Sequence, residues 1–160
     1  MLEERFTLEN NSVYTVELMD ERHLEEVARI EQESFSEPWS LNALKNTLGD
    51  EKYRFYCLVD NRHLKTVGYV GVIVVCGEGE VVSVATDSIL RGNGLGDSVL
   101  KEAMRREKER GTERLYLEVR ESNIAAIRLY EKNGFVKNGV RKNFYRKPTE
   151  DAYLMSKELC

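Results

Sequence analysis

Disulfides, metal capture and membrane crossing all find little material in this chain. There are three cysteines, Cys57, Cys76 and Cys160, an odd total with no CxxC spacing. That usage fits a reducing compartment rather than a disulfide framework. The two histidines, His23 and His63, are too few and too scattered for a metal site. No run approaches the roughly 20 apolar residues of a membrane span. The opening MLEERFTLENNS is polar and acidic, without the apolar stretch of a signal peptide. Basic charge is not in excess either: 24 Lys and Arg stand against 28 Asp and Glu, a net charge of -4. A nucleic-acid binder is usually basic, whereas this balance is compatible with a basic peptide partner. What is present is ordinary for a globular protein: 160 residues, 41% apolar and 32% charged. The expectation is a soluble cytoplasmic protein with no metal and no nucleic-acid or membrane partner.

Residues 1–12 read as a polar tail, and 13–160 as a single domain without linker or repeat. VYTVELM (13–19) is a first strand. Asp20 is placed to cap a helix to about Ser34, and Leu24, Val27, Ala28 and Glu31 mark its spacing. SEPWS (36–40) interrupts it, because Pro38 forces the preceding residue out of helical geometry; Ser40 then caps a short helix ending at Gly49. Strands follow at 53–59, 66–75 and 80–86, with Tyr53, Phe55, Cys57 and Val59 sharing a face. A helix after the glycines closes at Gly111, RLYLEV (114–119) is a buried strand, and Ser122-Asn123 caps a helix ending at Gly134. Strands at 135–144 and 151–159 finish the chain, with Pro148 between them. Hairpins first and strand–helix units later predict an α/β fold. Its central sheet is mixed and mostly antiparallel, of about seven strands with helices on both faces.

RGNGLG (91–96) places Gly92, Gly94 and Gly96 at a helix threshold. Glycine costs conformational entropy there, so bare backbone must have a use. A helix N-terminus exposes unpaired N–H groups and partial positive charge, and absent Cβ atoms let a pyrophosphate approach them. The stretch is not a Walker loop, and Asp97 stands where a dinucleotide fingerprint needs its last glycine. A glycine-rich turn without ligand is the competing reading.

Arg91-x-x-Gly94-x-Gly96 resembles the R/Q-x-x-G-x-G/A signature of the GNAT acetyltransferases. LEVRESNIAAIRLYEKNGF (117–135), FSEPWS (35–40) and RKNFYRKPTEDAYLM (141–155) are similar to marks of one branch, the RimI-type protein N-terminal acetyltransferases. The likeness runs from Val13 to Leu159; it departs at Thr86, where a β-branched apolar residue is more usual, and at DSILRG (87–92), which lacks the frequent proline. It implies the GNAT (acyl-CoA N-acyltransferase) fold and acetyl transfer from acetyl-CoA to an amine. By this resemblance Arg91, Gly92, Asn93, Gly94, Leu95, Gly96 and Asp97 bind the cofactor's diphosphate. Val84, Ala85 and Thr86 supply a donor to the thioester carbonyl, and Asn123, besides capping its helix, contacts the cofactor.

Glu118 is the candidate base. On pattern alone it is either a costly carboxylate in an apolar strand or a residue facing solvent or Arg120. The resemblance favours the base. Tyr130 shares a helix face with Ala126 and Leu129, as a core tyrosine would, and the resemblance makes it the acid for the departing thiolate. The late loop with Tyr145 is implied to flank the acceptor-peptide entrance, with Glu37 to Trp39 as the opposite wall. At pH 7, neutralising an α-amine costs about 1.4 kcal/mol and a lysine about 4.6 kcal/mol, so an N-terminus is the easier nucleophile. The implied substrate is the N-terminal peptide of small-subunit ribosomal protein eighteen. Transfer to lysine or a small amine, and an acetyl-CoA sensor without catalysis, stay open. Cys57 and Cys76 read as buried small hydrophobes, and RREKER (105–110) as a solvated face.

Overall fold

Eight strands form one sheet in the computed structural model, which describes residues 4–7 and 13–160. In chain order they are β1 (Glu4–Thr7), β2 (Val13–Leu18), β3 (Tyr53–Asp60), β4 (Lys65–Val75), β5 (Glu78–Thr86), β6 (Arg114–Arg120), β7 (Val136–Arg146) and β8 (Thr149–Glu158). Their spatial order is β1-β2-β3-β4-β5-β6-β8-β7, antiparallel except between β5 and β6. β1 corrects the expectation of a tail: it pairs with β2 from Glu4↔Val16 to Thr7↔Val13. Main-chain pairing along an edge does not require apolar side chains, so a polar composition does not forbid it. The rest of that segment, 1–3 and 8–12, lies outside the described residues.

The helices are α1 (Leu24–Ser34), α2 (Leu41–Thr47), α3 (Leu95–Glu109) and α4 (Ile124–Lys132). Ser40 and Asn123 cap as expected, accepting from the N–H groups of Ala43 (3.0 Å) and Ala126 (3.1 Å). Asp20 does not cap α1. Its carboxylate takes the Arg22 N–H at 2.9 Å and the Arg22 side chain, so a local turn forms and the helix starts at Leu24.

Helices cover both faces of the sheet, and β3 shows why. Phe55 and Cys57 point to one face, where they meet Leu24, Val27, Ile30 and Leu44 of α1 and α2. Tyr56 and Leu58 point to the other, where they join Leu95, Val99, Leu100 and Ala103 of α3. Alternation therefore sorts side chains between two cores rather than between core and water. Two expectations fail here. Arg106 and Glu107 within RREKER are buried: Arg106 donates to the Val16 carbonyl at 2.9 Å. Glu107 accepts from Arg54 (3.1 Å), Thr112 (2.7 Å) and the Tyr56 hydroxyl. A charge count along the helix cannot see these partners, which come from other elements. Cys76 is exposed, in the β4–β5 turn with φ 50°, while Cys57 is buried.

One irregularity shapes the centre of the sheet. Gly71 pairs with Ser83, but the next residue, Val72, pairs with Val81, so Val82 is an extra residue in β5. Such a bulge bends and twists its strand. The β5–β6 ladder accordingly stops at Glu80↔Tyr116, although β5 runs on to Thr86 and β6 to Arg120. Beyond that point the two parallel strands splay, and the facing edge of Val82–Thr86 is left without a strand partner.

Candidate active site

The splay opens toward the glycine loop. From Thr86 the chain passes Asp87, a single turn at Ser88–Leu90 and Arg91, then enters α3 through Gly94. Gly92 (φ 87°) and Gly94 (φ 76°) hold left-handed backbone, with open space where a Cβ would stand. Gly94 occupies the N-cap position and offers no capping side chain; the first helical bond runs from the Ser98 N–H to its carbonyl at 3.1 Å. The N–H groups of Leu95, Gly96 and Asp97 therefore have no acceptor within the helix. Gly96 differs: an added Cβ would sit 3.8 Å from Thr86 Cγ2 and 3.9 Å from Leu129 Cδ2, in ordinary contact.

The side chains of this loop are engaged elsewhere, so main chain is what it offers an anion. Leu95 is buried in the α3 core. Asn93 donates to the Leu90 carbonyl at 3.0 Å, and Arg91 to Ser34 Oγ at 3.2 Å. The Asp97 carboxylate turns away to Lys101 (2.6 Å) and Asn133 (2.9 Å). Burial would raise that carboxyl, but the Lys101 and Asn133 bonds outweigh it and hold it below the usual range. Asp87 fastens the loop's start, accepting from the Ile89 N–H (3.2 Å) and Arg29 (3.0 Å). In β5, Val84 packs against the α3 core and Ala85 against the α1 core, while Thr86 is half-buried beside Gly96.

In β6, Leu115, Leu117 and Val119 enter the α3 core, so Tyr116, Glu118 and Arg120 share the opposite face. Glu118 lies along the splay with its side chain 17% exposed, and its nearest cation is Arg141 at 3.7 Å. Arg120 does not pair with it, bonding instead to Glu150 at 3.2 Å. Beside Glu118 is a cavity of about 290 Å³, also lined by Glu78, Arg114, Tyr116 and Arg141. Burial, and then the charge of Glu118, push the Glu80 carboxyl up. The same two causes push the Tyr145 hydroxyl up to about 12, against the pull of Arg120. Tyr130, on α4, is buried edge-on to Phe135 with ring centroids 5.6 Å apart. Burial, then the Tyr145 oxygen, raise its hydroxyl pKa. Glu118, Tyr145 and Tyr130 thus form one electrostatic neighbourhood.

The proposed acceptor wall is less uniform. Glu37 is exposed, whereas Trp39 is half-buried, edge-on to Phe55 (5.6 Å) and Tyr53 (6.2 Å). The main-chain N–H of Trp39 donates at 3.0 Å to Glu31, a buried carboxylate that also takes the hydroxyls of Tyr69 and Ser83, both at 2.6 Å. Glu31 anchors the α1–α2 segment to β5 beside the bulge. The signal was available: a carboxylate standing in the apolar stripe of an amphipathic helix. A larger hollow of about 370 Å³, lined by Leu18, Met19, Leu48, Tyr53 and Phe55, lies toward the opposite end of β3 and β4 from Thr86, and none of the candidate catalytic groups lines it. Among the described residues no cluster of three or more potential metal ligands occurs, and no helix is long and apolar enough to cross a membrane.

Known proteins resemble this chain along most of its length. The model of the acetyltransferase (GNAT) family matches residues 24–135. The [ribosomal protein bS18]-alanine N-acetyltransferase of Haemophilus influenzae is 37% identical over 135 residues, covering 82% of this chain and 90% of that protein. Its namesake from Escherichia coli K12 is 34% identical over 146 residues, covering 89% and 95%. The crystal structure of the ribosomal-protein-S18-alanine N-acetyltransferase from E. coli superposes with a TM-score of 0.82 at 31% identity, over 91% of this chain and 94% of that one. A splayed β5–β6 pair, a helix threshold whose first N–H groups lack helical acceptors and likeness along most of the sequence converge: the chain belongs to the GNAT family of acetyl-CoA-dependent N-acetyltransferases.

Proposed function

We propose that this protein acetylates the N-terminal amine of a protein in the cytoplasm, and that its substrate is the alanine that begins ribosomal protein bS18. The observation that carries the reading is the opening between β5 and β6, with unpaired N–H groups at its mouth and Glu118 along its wall. Bound there, acetyl-CoA supplies an activated acetyl group, and the residues present fit it. The N–H groups of Gly92 to Asp97 hold the diphosphate. The unpaired edge of Val84, Ala85 and Thr86 steadies the carbonyl oxygen as charge gathers on it. Asn123, at the start of α4, borders the cofactor.

Glu118 accepts the proton of the incoming amine, directly or through one water, so that nitrogen attacks the acetyl carbon as a neutral nucleophile. As the carbon–sulfur bond breaks, Tyr130 gives its proton to the departing sulfur. The nitrogen sheds its second proton as the amide forms, and through water that proton restores the Tyr130 hydroxyl, while the proton on Glu118 leaves to solvent. Like any tyrosine, Tyr130 is protonated at neutral pH, and burial raises its hydroxyl pKa further. Tyr145, Glu37 and Trp39 flank the acceptor. The α-amine is favoured over lysine because it is cheaper to neutralise by about 3 kcal/mol at pH 7.

The test is mass spectrometry of a peptide with the bS18 N-terminal sequence after incubation with acetyl-CoA and the protein. One acetyl group on the alanine nitrogen is expected. An unmodified α-amine, with lysine or spermidine acetylated in its place, would overturn the acceptor assignment. Acetyl-CoA binding without transfer to any amine would leave only a sensor.

A further inference from the structure

Arg120 makes more side-chain connections between separate segments than any other residue near Glu118. It lies two positions further along β6 on the same face. Nη1 donates to the Pro148 carbonyl (2.9 Å) and Glu150 Oε1 (3.2 Å). Nη2 donates to the Lys147 carbonyl (3.2 Å) and, 84 positions away in sequence, to Ser36 Oγ (3.1 Å). The guanidinium also lies over the Tyr145 ring, 4.3 Å from its centroid. Glu150 extends the connection, accepting the Ser122 N–H at 2.7 Å just before the Asn123 cap of α4. One side chain therefore joins the α1–α2 segment, the β7–β8 turn and the threshold of α4.

We infer that Arg120 is a positioning residue that fixes the spacing between the two walls flanking Glu118 and so sets where an acceptor amine lies. The inference rests on the acceptor reading given above. A planar guanidinium suits the task, since its donors leave in fixed directions toward four oxygens and its face covers an aromatic ring. A lysine ammonium has neither geometry. The bonds to Ser36, Lys147 and Pro148 are exposed, and exposed polar contacts add little to stability. Their effect is on distance: a misplacement near 1 Å at a reacting centre is enough to slow a reaction greatly. The phosphate loop has its own anchors at Asp87 and Arg29, so the main hold on acetyl-CoA does not pass through Arg120, which reaches the Asn123 end of the cofactor only through Glu150 and the Ser122 N–H.

Steady-state kinetics with each substrate varied in turn, using whichever amine the wild-type protein acetylates, provides the test. Arg120→Ala is expected to lower the acceptor kcat/KM roughly tenfold, with the acceptor KM raised, while the acetyl-CoA KM moves by less than about twofold. Arg120→Lys should not rescue it. Ser36→Ala, which cuts only the bond to the α1–α2 segment, should give a smaller rise and add nothing in the Arg120→Ala background. Unchanged acceptor kinetics in Arg120→Ala, or equal rises in both KM values, overturns the inference. If Arg120→Ala does not fold, Ser36→Ala decides alone, and a wild-type acceptor KM there counts against it. Failure of the acceptor reading shows itself separately, in the identity of the amine that wild type modifies.

Discussion

Glu31 and Glu118 are carboxylates set in apolar patterns of sequence, and they are treated in opposite ways. Glu31 receives three hydrogen bonds, two from hydroxyls at 2.6 Å and one from an N–H at 3.0 Å, so its lone pairs are committed to holding the fold. Glu118 has a single cation at 3.7 Å and keeps its lone pairs available. A satisfied buried acid is structural; an unsatisfied one in a cleft is a candidate base. Glu118→Gln should therefore lower kcat by roughly 10²- to 10⁴-fold with acetyl-CoA binding retained, as single-turnover rates and calorimetry would show. Tyr130→Phe removes a proton donor and little volume. It should slow turnover at least about tenfold without moving the acetyl-CoA KM, and an unchanged rate would take Tyr130 out of the mechanism.

At the level of the element, the glycine loop divides its three glycines between two uses. Gly94 needs left-handed backbone to start α3, so Gly94→Ala should cost about 1–2 kcal/mol in denaturant melts and weaken acetyl-CoA binding as the N–H groups tilt. Gly96 has room for a methyl group, so Gly96→Ala should be close to neutral in both measurements. This accounts physically for a signature that accepts alanine at its last position and not at the glycine before it. Local chemistry of this kind was legible in the sequence: the caps at Ser40 and Asn123, the alternation of β3, the helix after the glycines. Features that need a partner from afar were not. Nothing local marks Val82 as an extra residue, because a bulge is defined by the neighbouring strand. Arg106 and Glu107 read as solvent-facing charge because Val16, Arg54, Tyr56 and Thr112 lie in other elements. Arg120 was visible only as a neighbour of Glu118, and its true partners lie 27 to 84 positions away.

For the molecule as a whole, acid is the sensitive direction. Burial would raise the Asp60 carboxyl, but the Arg62 side chain, the Arg62 N–H at 2.9 Å and His63 outweigh it and hold it at about 2, against an ordinary 3.8. Asp87 and Asp97 are also held low. A carboxyl depressed in the folded state contributes stability that is complete above its unfolded value and disappears as pH falls through its folded one. Stability should thus hold above pH 4 or so and fall steeply toward pH 2. Asp60→Asn should unfold more readily at pH 7 yet show a shallower decline in acid melts followed by circular dichroism. The broadest consequence belongs to Val82. Only three residue pairs stitch β5 to β6, and one surplus residue arrests the zipper there. Any change that let the ladder close further would harden the protein and erase the slot proposed for its chemistry, so on that reading sturdiness and turnover make opposing demands on that position.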